Sequence, residues 1–337
     1  MNKHRYKPLQ AQTMVITGAT SGIGLATAQR AARYGARLVL AARNEDELKN
    51  LCFEISQSGG KAAYVVADVG EEQDVQKIAD KAVEEFGGFD TWVNNAGVVV
   101  FSELQDLPIE DHQQIFQTNY WGVVYGSRIA QKHFKTRDNG GSIINIASIN
   151  AEMPVPILGA YSASKAAVKA YSDVLRMELL HEKAPVKVTV VMPSGIATPI
   201  SDHGRSYMED RGKIMPPLYD PELVAEAILT AAQKYVRQIT VGETGRISML
   251  AWDLVPSVMD RVISWALPRV QSSGKPKSPT DNLYSADEDG AVYLNQRRQG
   301  LMLSPYTQAR LHPKAALGVA TTAVAVGLVA FKLIKGR

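Results

Sequence analysis

The run Thr17-Gly18-Ala19-Thr20-Ser21-Gly22-Ile23-Gly24 follows a short apolar segment near the start of this 337-residue chain. Residues 15–30 therefore have the pattern of a strand, a glycine-rich turn and a helix. Gly18 permits a tight turn, Gly22 lets the backbone approach a ligand, and Gly24 lets the helix pack closely on the strand. Because the first N–H groups of a helix are free and lie at the positive end of its dipole, this turn predicts a site for the pyrophosphate of a dinucleotide.

Short apolar runs alternate with amphipathic helical windows through about residue 245. Strands are predicted at residues 14–17, 37–41, 63–67, 91–94, 142–147, 187–192 and 238–241. The main helices are predicted at residues 22–34, 71–86, 112–133 and 161–182. Strands that are apolar on both faces are typical of a parallel sheet covered by helices. The pattern therefore predicts a doubly wound α/β fold of about seven strands.

Composition divides the chain into four parts and excludes several classes of protein. We expect an N-terminal arm (1–12), a catalytic domain (13–270), a linker with a polar extension (271–312) and a hydrophobic C-terminal helix (313–337). A net charge of +3 without a long basic block gives no support for a nucleic-acid partner. Cys52 is the only cysteine, which excludes an intrachain disulfide, and the six histidines form no metal-binding pattern, so no metal is predicted.

The C-terminal segment from Ala315 to Phe331 contains no charged residue. Extended to residue 334, a helix there would be about 26–30 Å long, which just reaches across a hydrocarbon core. We therefore expect a membrane anchor over residues 315–334, with the catalytic domain held at the membrane and facing the cytoplasm. The alternatives are a helix that covers an apolar protein surface and a disordered tail.

Tyr161 and Lys165 lie four residues apart within a predicted helix and therefore share one of its faces. A phenol titrates near pH 10 in water and is a poor proton donor at neutral pH. At an effective dielectric constant of about 20, an ammonium group about 5 Å away favours the phenolate by roughly 3 kcal/mol. The pair thus predicts a tyrosine whose pKa is lowered by the lysine, so that it can act as a general acid or base.

Together these motifs resemble those of the short-chain dehydrogenase/reductase superfamily, in the branch with a Thr-Gly-x-x-x-Gly-x-Gly turn and a Tyr-x-x-x-Lys pair. The similarity covers about residues 12–245 and includes Asp68-Val69, Asn94-Asn95-Ala96-Gly97, Asn119 and Ser148. The resemblance implies a Rossmann-type fold and hydride transfer between a nicotinamide cofactor and a carbonyl or secondary alcohol.

The resemblance also implies a role for each of four catalytic residues. Tyr161 would exchange a proton with the substrate oxygen, and Ser148 would hold that oxygen. Lys165 would lower the pKa of the tyrosine and bind the nicotinamide ribose, and Asn119 would keep a water in a proton relay to Lys165.

The end of the second predicted strand bears on cofactor choice. No acidic residue stands at Ala41 or Ala42 to bind a ribose 2′-hydroxyl, whereas Arg43 could bond a 2′-phosphate. This favours NADP(H), with NAD(H) as the alternative.

Ser194 departs from the family pattern, which has a glycine there. The predicted cofactor contacts are Thr17, Gly18, Ser21, Gly22, Ile23, Gly24, Arg43, Asp68, Val69, Asn95, Ala96, Gly97, Tyr161, Lys165, Pro193, Ile196 and Thr198.

A variable lid is expected at residues 199–220, and its apolar side chains suggest a lipophilic substrate. The residues expected to line the cleft are Met153, Pro154, Val155, Ile157, Leu158, Met192, Tyr207, Met208 and Met215. By resemblance, the helices at 112–133 and 161–182 would pair subunits into a homodimer or homotetramer. Two other functions remain open: a sugar-nucleotide enzyme of the related extended branch, and a redox sensor that holds NADP(H) without turnover.

Overall fold

The computed structural model describes residues 6–287, 290–293, 297–298 and 300–313. Seven parallel strands form its central sheet, in the order β3-β2-β1-β4-β6-β7-β9. These strands are β1 (Thr13–Thr17), β2 (Arg37–Ala42), β3 (Lys61–Val66), β4 (Thr91–Asn94), β6 (Gly141–Ile146), β7 (Val186–Pro193) and β9 (Gln238–Val241). The predicted α/β fold with a seven-stranded parallel sheet is confirmed.

Helices cover both faces of the sheet because its strands are apolar on both sides. One face packs against α1 (Gly22–Arg33), α2 (Glu45–Gln57) and α7 (Pro221–Gln233). The other face packs against α3 (Glu72–Phe86), α5 (Gly122–Lys135) and α6 (Gly159–His181). Helix α4 (Ile109–Phe116) precedes α5, and α8 (Glu243–Leu254), α9 (Pro256–Gln271) and α10 (Pro305–Leu311) follow the last strand.

The helix predicted at residues 112–133 is interrupted. Between α4 and α5 lies a π-helical turn, Gln117–Trp121. Asn119 sits in this turn with a fully buried side chain. The extra residue of a π turn redirects side chains and is frequent at functional sites, and here it accompanies the inward position of Asn119.

The strand order reverses at β1, whose two neighbours in the sheet are β2 and β4. In open parallel sheets a crevice forms at such a switch point, outside the carboxyl ends of the strands. A two-stranded sheet lies beside this crevice and pairs β5 (Val100–Phe101) with β8 (Arg205–Ser206). It connects the loop after β4 to the lid, residues 199–220.

Described residues of the polar extension pack on the catalytic domain. Leu283 and Leu311 are both fully buried. The N–H of Leu301 donates to the carbonyl of Leu218 at 2.8 Å, and the N–H of Asp220 donates to the carbonyl of Leu301 at 3.0 Å. The extension therefore contacts the lid directly.

The expected membrane anchor requires a correction. Within the residues that the structure describes, no helix combines the length and the apolar character needed to cross a membrane. The segment 315–334, on which the expectation rested, lies outside the described residues, as does the rest of 314–337. The predictions of a transmembrane helix and of a membrane-associated location are corrected accordingly.

Candidate active site

The glycine turn is joined to the end of β4 by Thr17 and Asn95. The hydroxyl of Thr17 accepts the N–H groups of Asn95 at 3.0 Å and Ala96 at 3.1 Å. In return, the amide of Asn95 donates to the carbonyl of Thr17 at 2.9 Å. A Cβ atom on Gly24 would lie 1.9 Å from the carbonyl oxygen of Gly18, so only glycine fits there. These contacts hold the carboxyl ends of β1 and β4 together at the switch point.

The N-terminus of α1 provides hydrogen-bond donors suited to an anion. The N–H groups of Ile23 and Gly24 have no protein partner among the described residues. Gly22 has φ +49°, and a Cβ atom there would come within 3.1 Å of Thr198. Free donors at the positive end of the helix dipole, beside a backbone with no side chain in the way, fit the pyrophosphate of a dinucleotide.

Arg43 follows β2 and reaches toward the end of β3. One of its terminal nitrogens donates to the carbonyl of Asn282. The other, Nη1, lies 3.8 Å from the carboxylate of Asp68 and is buried without a hydrogen-bond partner. Asp68 accepts the N–H of Gly70 at 2.8 Å, which fixes the turn that also contains Val69. A buried guanidinium N–H without an acceptor fits a phosphate group of a ligand.

The structure brings Ser148, Tyr161 and Lys165 together on the wall of one cavity. Ser148 lies beyond the end of β6, where its hydroxyl accepts the N–H of Asn150 at 3.2 Å. Its side chain is also close to the hydroxyl of Tyr161, which lies in the first turn of α6, and it lowers the pKa of that phenol. One turn later, the ammonium of Lys165 donates to the carbonyl of Ile146 at 3.0 Å and lies 5.7 Å from the centre of the tyrosine ring.

The pKa of Tyr161 is shifted in the direction opposite to the prediction. Burial raises the pKa of Tyr161 to about 12, and the nearby hydroxyl of Ser148 offsets only part of this rise. Burial also lowers the pKa of Lys165 to about 8. Attraction between the ammonium and the phenolate favours a lower pKa, but enclosure removes water from both groups, and this desolvation dominates.

Asn119 positions the loop after β4. Its side-chain oxygen accepts the N–H of Val98 at 2.8 Å, and its amide donates to the carbonyl of Val98 at 3.0 Å and to the hydroxyl of Ser164 at 3.1 Å. A Cβ atom on Gly97 would lie 3.1 Å from the oxygen of Asn119 and 3.4 Å from the ammonium of Lys165. Both side chains therefore meet at Gly97.

The segment after β7 closes another side of the cavity, which Pro193, Ser194, Ile196 and Thr198 all line. Ser194, which departs from the family pattern, donates its hydroxyl to the carbonyl of Val241 at 2.7 Å. The backbone N–H of Ser194 bonds the same carbonyl at 3.0 Å. The serine therefore ties the end of β7 to the end of β9.

The cavity has a volume of about 440 Å³ and runs from the glycine turn past Tyr161 to α9. Four of the predicted cleft residues line it: Met153, Val155, Leu158 and Met215. Pro154 and Ile157 line a neighbouring groove, whereas Met192 is buried in the core. Tyr207 hydrogen-bonds Asp111 at 2.7 Å, and Met208 packs near Phe101.

Helix α9 supplies a wall of the cavity that the sequence did not predict. Its side chains at this wall are Met259, Val262, Ile263, Ala266 and Gln271. Gln271 is 3% exposed, and its side-chain oxygen is buried without a hydrogen-bond partner. In the sequence, only the apolar character of residues 247–270 indicated helices in this region. It did not show that α9 would face the cavity.

Comparison with known proteins gives a consistent family assignment. The family model described as short chain dehydrogenase matches residues 12–208, more than half of the chain. The chain is 39% identical over 336 residues to an uncharacterized oxidoreductase, YxnA, of Bacillus subtilis, covering 99% of this chain and 93% of that protein. It is 34% identical over 241 residues to 3beta-hydroxysteroid dehydrogenase 1 of Eggerthella lenta, covering 70% of this chain and 92% of that protein.

Two solved structures share the fold. A short chain dehydrogenase/reductase from Burkholderia phymatum in complex with NAD is 26% identical with a TM-score of 0.66, covering 74% of this chain and 96% of its own. An alcohol dehydrogenase from Thermococcus sibiricus complexed with 5-hydroxy-NADP is 26% identical with a TM-score of 0.60, covering 68% of this chain and 95% of its own.

Proposed function

The chain belongs to the short-chain dehydrogenase family of oxidoreductases, and on that premise we propose that it transfers a hydride between NADP(H) and a lipophilic ketone or secondary alcohol. The observation that carries the proposal is the convergence of Ser148, Tyr161 and Lys165 on a cavity that the glycine turn also lines. A nicotinamide dinucleotide, when bound, supplies or accepts the hydride.

Each side chain has a separate task in this proposal. Ser148 and Tyr161 bind the substrate oxygen, and Tyr161 donates the proton that converts it to a hydroxyl, or accepts that proton in the reverse direction. Lys165 carries a positive charge close to the tyrosine ring and favours the phenolate that remains after proton donation. Asn119 holds the Val98 backbone and so fixes the loop next to Lys165, where we propose that it also supports a water-mediated proton relay.

Oxidation of NADPH and NADH in the presence of a panel of ketones and aldehydes tests the proposal. Turnover of a ketone with either cofactor is the expected result. Cofactor binding without turnover of any carbonyl would favour the redox sensor instead. The extended sugar-nucleotide branch is disfavoured because the described residues after about residue 200 form no separate substrate domain.

The preference for NADP(H) depends on Arg43. Replacing it in an Arg43→Ser variant removes the partly buried guanidinium, so we expect the Kd of NADPH to rise about 10- to 100-fold, as for the loss of one charge-assisted hydrogen bond. The Kd of NADH should change little. Titrations that follow cofactor fluorescence measure both constants. Arg33→Ser is a matched control, because Arg33 is exposed and pairs with Glu222 at 3.2 Å. Equal weakening of both cofactors by Arg43→Ser would contradict the preference.

The lining of the cleft supports a lipophilic substrate. Away from Ser148 and Tyr161, the wall formed by α9 and the lid is mainly aliphatic, with Met259, Val262 and Ile263 among its side chains. The relative from Eggerthella lenta is named for a hydroxysteroid, a bulky apolar secondary alcohol. A substrate of that shape and polarity suits this cleft.

Gln271 offers the cleft one buried amide, which would bind a second polar group on the substrate. We expect the enzyme to prefer an androstane ketone that has its carbonyl on ring A and a hydroxyl on ring D over the same ketone without the hydroxyl. In Gln271→Met the ratio of the two kcat/KM values should fall by about tenfold or more, because one hydrogen bond to a buried group is lost. An unchanged ratio would exclude this contact.

We also propose a homo-oligomer, a dimer or a tetramer, through α5 and α6. Val174, Met177 and Leu180 on α6 are 48%, 60% and 61% exposed, which is unusual for apolar side chains of this size. Light scattering on the purified protein measures the mass of the assembly, and a monomer at micromolar concentration would contradict this proposal.

A further inference from the structure

Two described stretches, residues 281–287 and 290–291, lie along the cofactor crevice between the lid and the glycine turn, and we call them together the strap. At the lid, the N–H of Asn282 donates to the carbonyl of His203 at 2.9 Å. The carboxylate of Asp281 pairs with Arg205 at 2.9 Å. The strap therefore begins fixed to one rim of the crevice.

Leu283 anchors the strap in the protein. Its side chain is fully buried in a cluster with Val98, Val100, Leu107, Ile115 and Ala160. Next to it, the hydroxyl of Tyr284 donates to Asp111 at 2.8 Å. Asp111 is itself 4% exposed and also accepts hydrogen bonds from Arg205. A buried leucine and a buried carboxylate together hold this end of the strap closed.

The strap reaches the opposite rim at the glycine turn. Arg43 donates to the carbonyl of Asn282, and the amide of Asn44 donates to the carbonyl of Asp287 at 3.2 Å. Farther along, the N–H of Gly290 donates to the carbonyl of Thr20 at 3.1 Å. The N–H of Gly22 donates to the carbonyl of Ala291 at 2.9 Å. The strap thus bonds both sides of the groove in which the dinucleotide would lie.

Several polar groups near the strap have no hydrogen-bond partner among the described residues. They are Nη1 of Arg43, the side-chain oxygen of Asn282, and the N–H groups of Ile23 and Gly24. Asn282 lines the cavity that contains Tyr161. Its carbonyl accepts a hydrogen bond from Arg43, which lies outside the lining of that cavity. A ligand that reached from Arg43 to Tyr161 would therefore pass beside Asn282. A dinucleotide has this reach, with phosphates for the donors and ribose hydroxyls for the amide oxygen.

We infer that the strap is part of the cofactor site and acts as a gate, closing over the dinucleotide and opening for it to enter and leave. The inference rests on the proposed dinucleotide site. Because the closed strap bonds both rims, it obstructs entry as well as release. Weakening its anchor should therefore raise the association and dissociation rate constants together, whereas a rigid wall would affect release alone.

The test is stopped-flow fluorescence of NADPH and NADH binding to the full chain. In Leu283→Ala, both rate constants for the preferred cofactor should rise at least about tenfold, because truncation of a buried leucine removes most of its anchoring contacts. Leu303→Ala is the matched control, since Leu303 belongs to the same extension but is 64% exposed; its rate constants should equal those of the wild type. Asp281→Asn weakens the anchor without opening a cavity and should raise both constants by a smaller factor, which covers the case in which Leu283→Ala unfolds.

Three outcomes would overturn the gate. Unchanged rate constants in Leu283→Ala and Asp281→Asn would mean that the strap does not move during binding. A faster association with an unchanged dissociation would mean that the strap competes with the cofactor and is displaced by it. A faster dissociation alone would mean a fixed wall. If neither cofactor bound the wild type, the proposed function itself would fail, which distinguishes the two claims.

Discussion

A Tyr161→Phe variant is expected to lose about 10²- to 10⁴-fold in kcat with the preferred cofactor and ketone. The substitution removes only the hydroxyl oxygen that donates the proton to the substrate. The aromatic ring keeps its contacts with the apolar residues around it, since Tyr161 packs beside Leu158 and Val155. Steady-state kinetics under saturating NADPH measures the change.

Two controls identify the cause of the loss. The Kd of NADPH should remain within about twofold of the wild type, because the hydroxyl acts on the substrate oxygen. Tyr34→Phe removes the same atom from a side chain that is 52% exposed at the end of α1, and it should leave kcat unchanged. If Tyr161→Phe retained more than a tenth of the wild-type turnover, another group would have to donate the proton.

A Lys165→Met variant is expected to be inactive and, without cofactor, more stable than the wild type at pH 7. The lysine is 3% exposed, and burial lowers its pKa from 10.5 to about 8. That shift corresponds to about 3 kcal/mol spent in keeping the ammonium charged inside the folded protein at neutral pH. The variant avoids this cost but also loses the hydrogen bond to Ile146, which is worth about 1 kcal/mol of stability. The free energy of unfolding should therefore rise by about 2 kcal/mol in denaturant titrations.

The pH dependence of this effect has a definite sign. Between about pH 8 and pH 10.5 the unfolded chain retains the lysine proton that the folded protein has lost. The free energy of unfolding of the wild type should therefore rise with pH relative to that of Lys165→Met across this window. For the wild type alone, measurements are best kept below about pH 9, because the raised pKa of the Cys52 thiol opposes the rise from there and the raised pKa of Tyr161 opposes it at still higher pH. Lys61→Met, at an exposed position, should follow the wild type. A variant less stable than the wild type at pH 7 would contradict this explanation.

Local patterns were sufficient to predict the sheet and the proximity of Tyr161 and Lys165. The turn from Thr17 to Gly24 and the spacing of Tyr161 and Lys165 depend on strand and helix periods, which the sequence displays directly. The strand at residues 238–241 was found by the same means. The π turn around Asn119 was missed because one additional residue in a helical turn leaves no mark on an amphipathic pattern of that length.

Long-range contacts could not be predicted. The wall formed by α9 and the position of Leu283 in a buried cluster depend on where distant segments return to the domain. Residues 281–312 were predicted only as a polar extension, yet the buried side chains of Leu283 and Leu311 and several main-chain hydrogen bonds hold its described residues against the domain. The prediction that Lys165 lowers the pKa of Tyr161 was wrong for a related reason. The sequence shows the neighbouring charge but not the loss of water around both groups.

The most direct test of the proposed reaction follows deuterium from NADPH in which both hydrogens on the reactive carbon of the nicotinamide are replaced by deuterium. The wild-type enzyme reduces a lipophilic ketone in ordinary water, and mass spectrometry locates the label in the product. We expect the deuterium on the carbinol carbon and a solvent proton on the oxygen, with product formation by Tyr161→Phe slower by about a hundredfold or more. Reduced product without deuterium, or tight NADPH binding with no product from any ketone, would contradict hydride transfer as the function of this site.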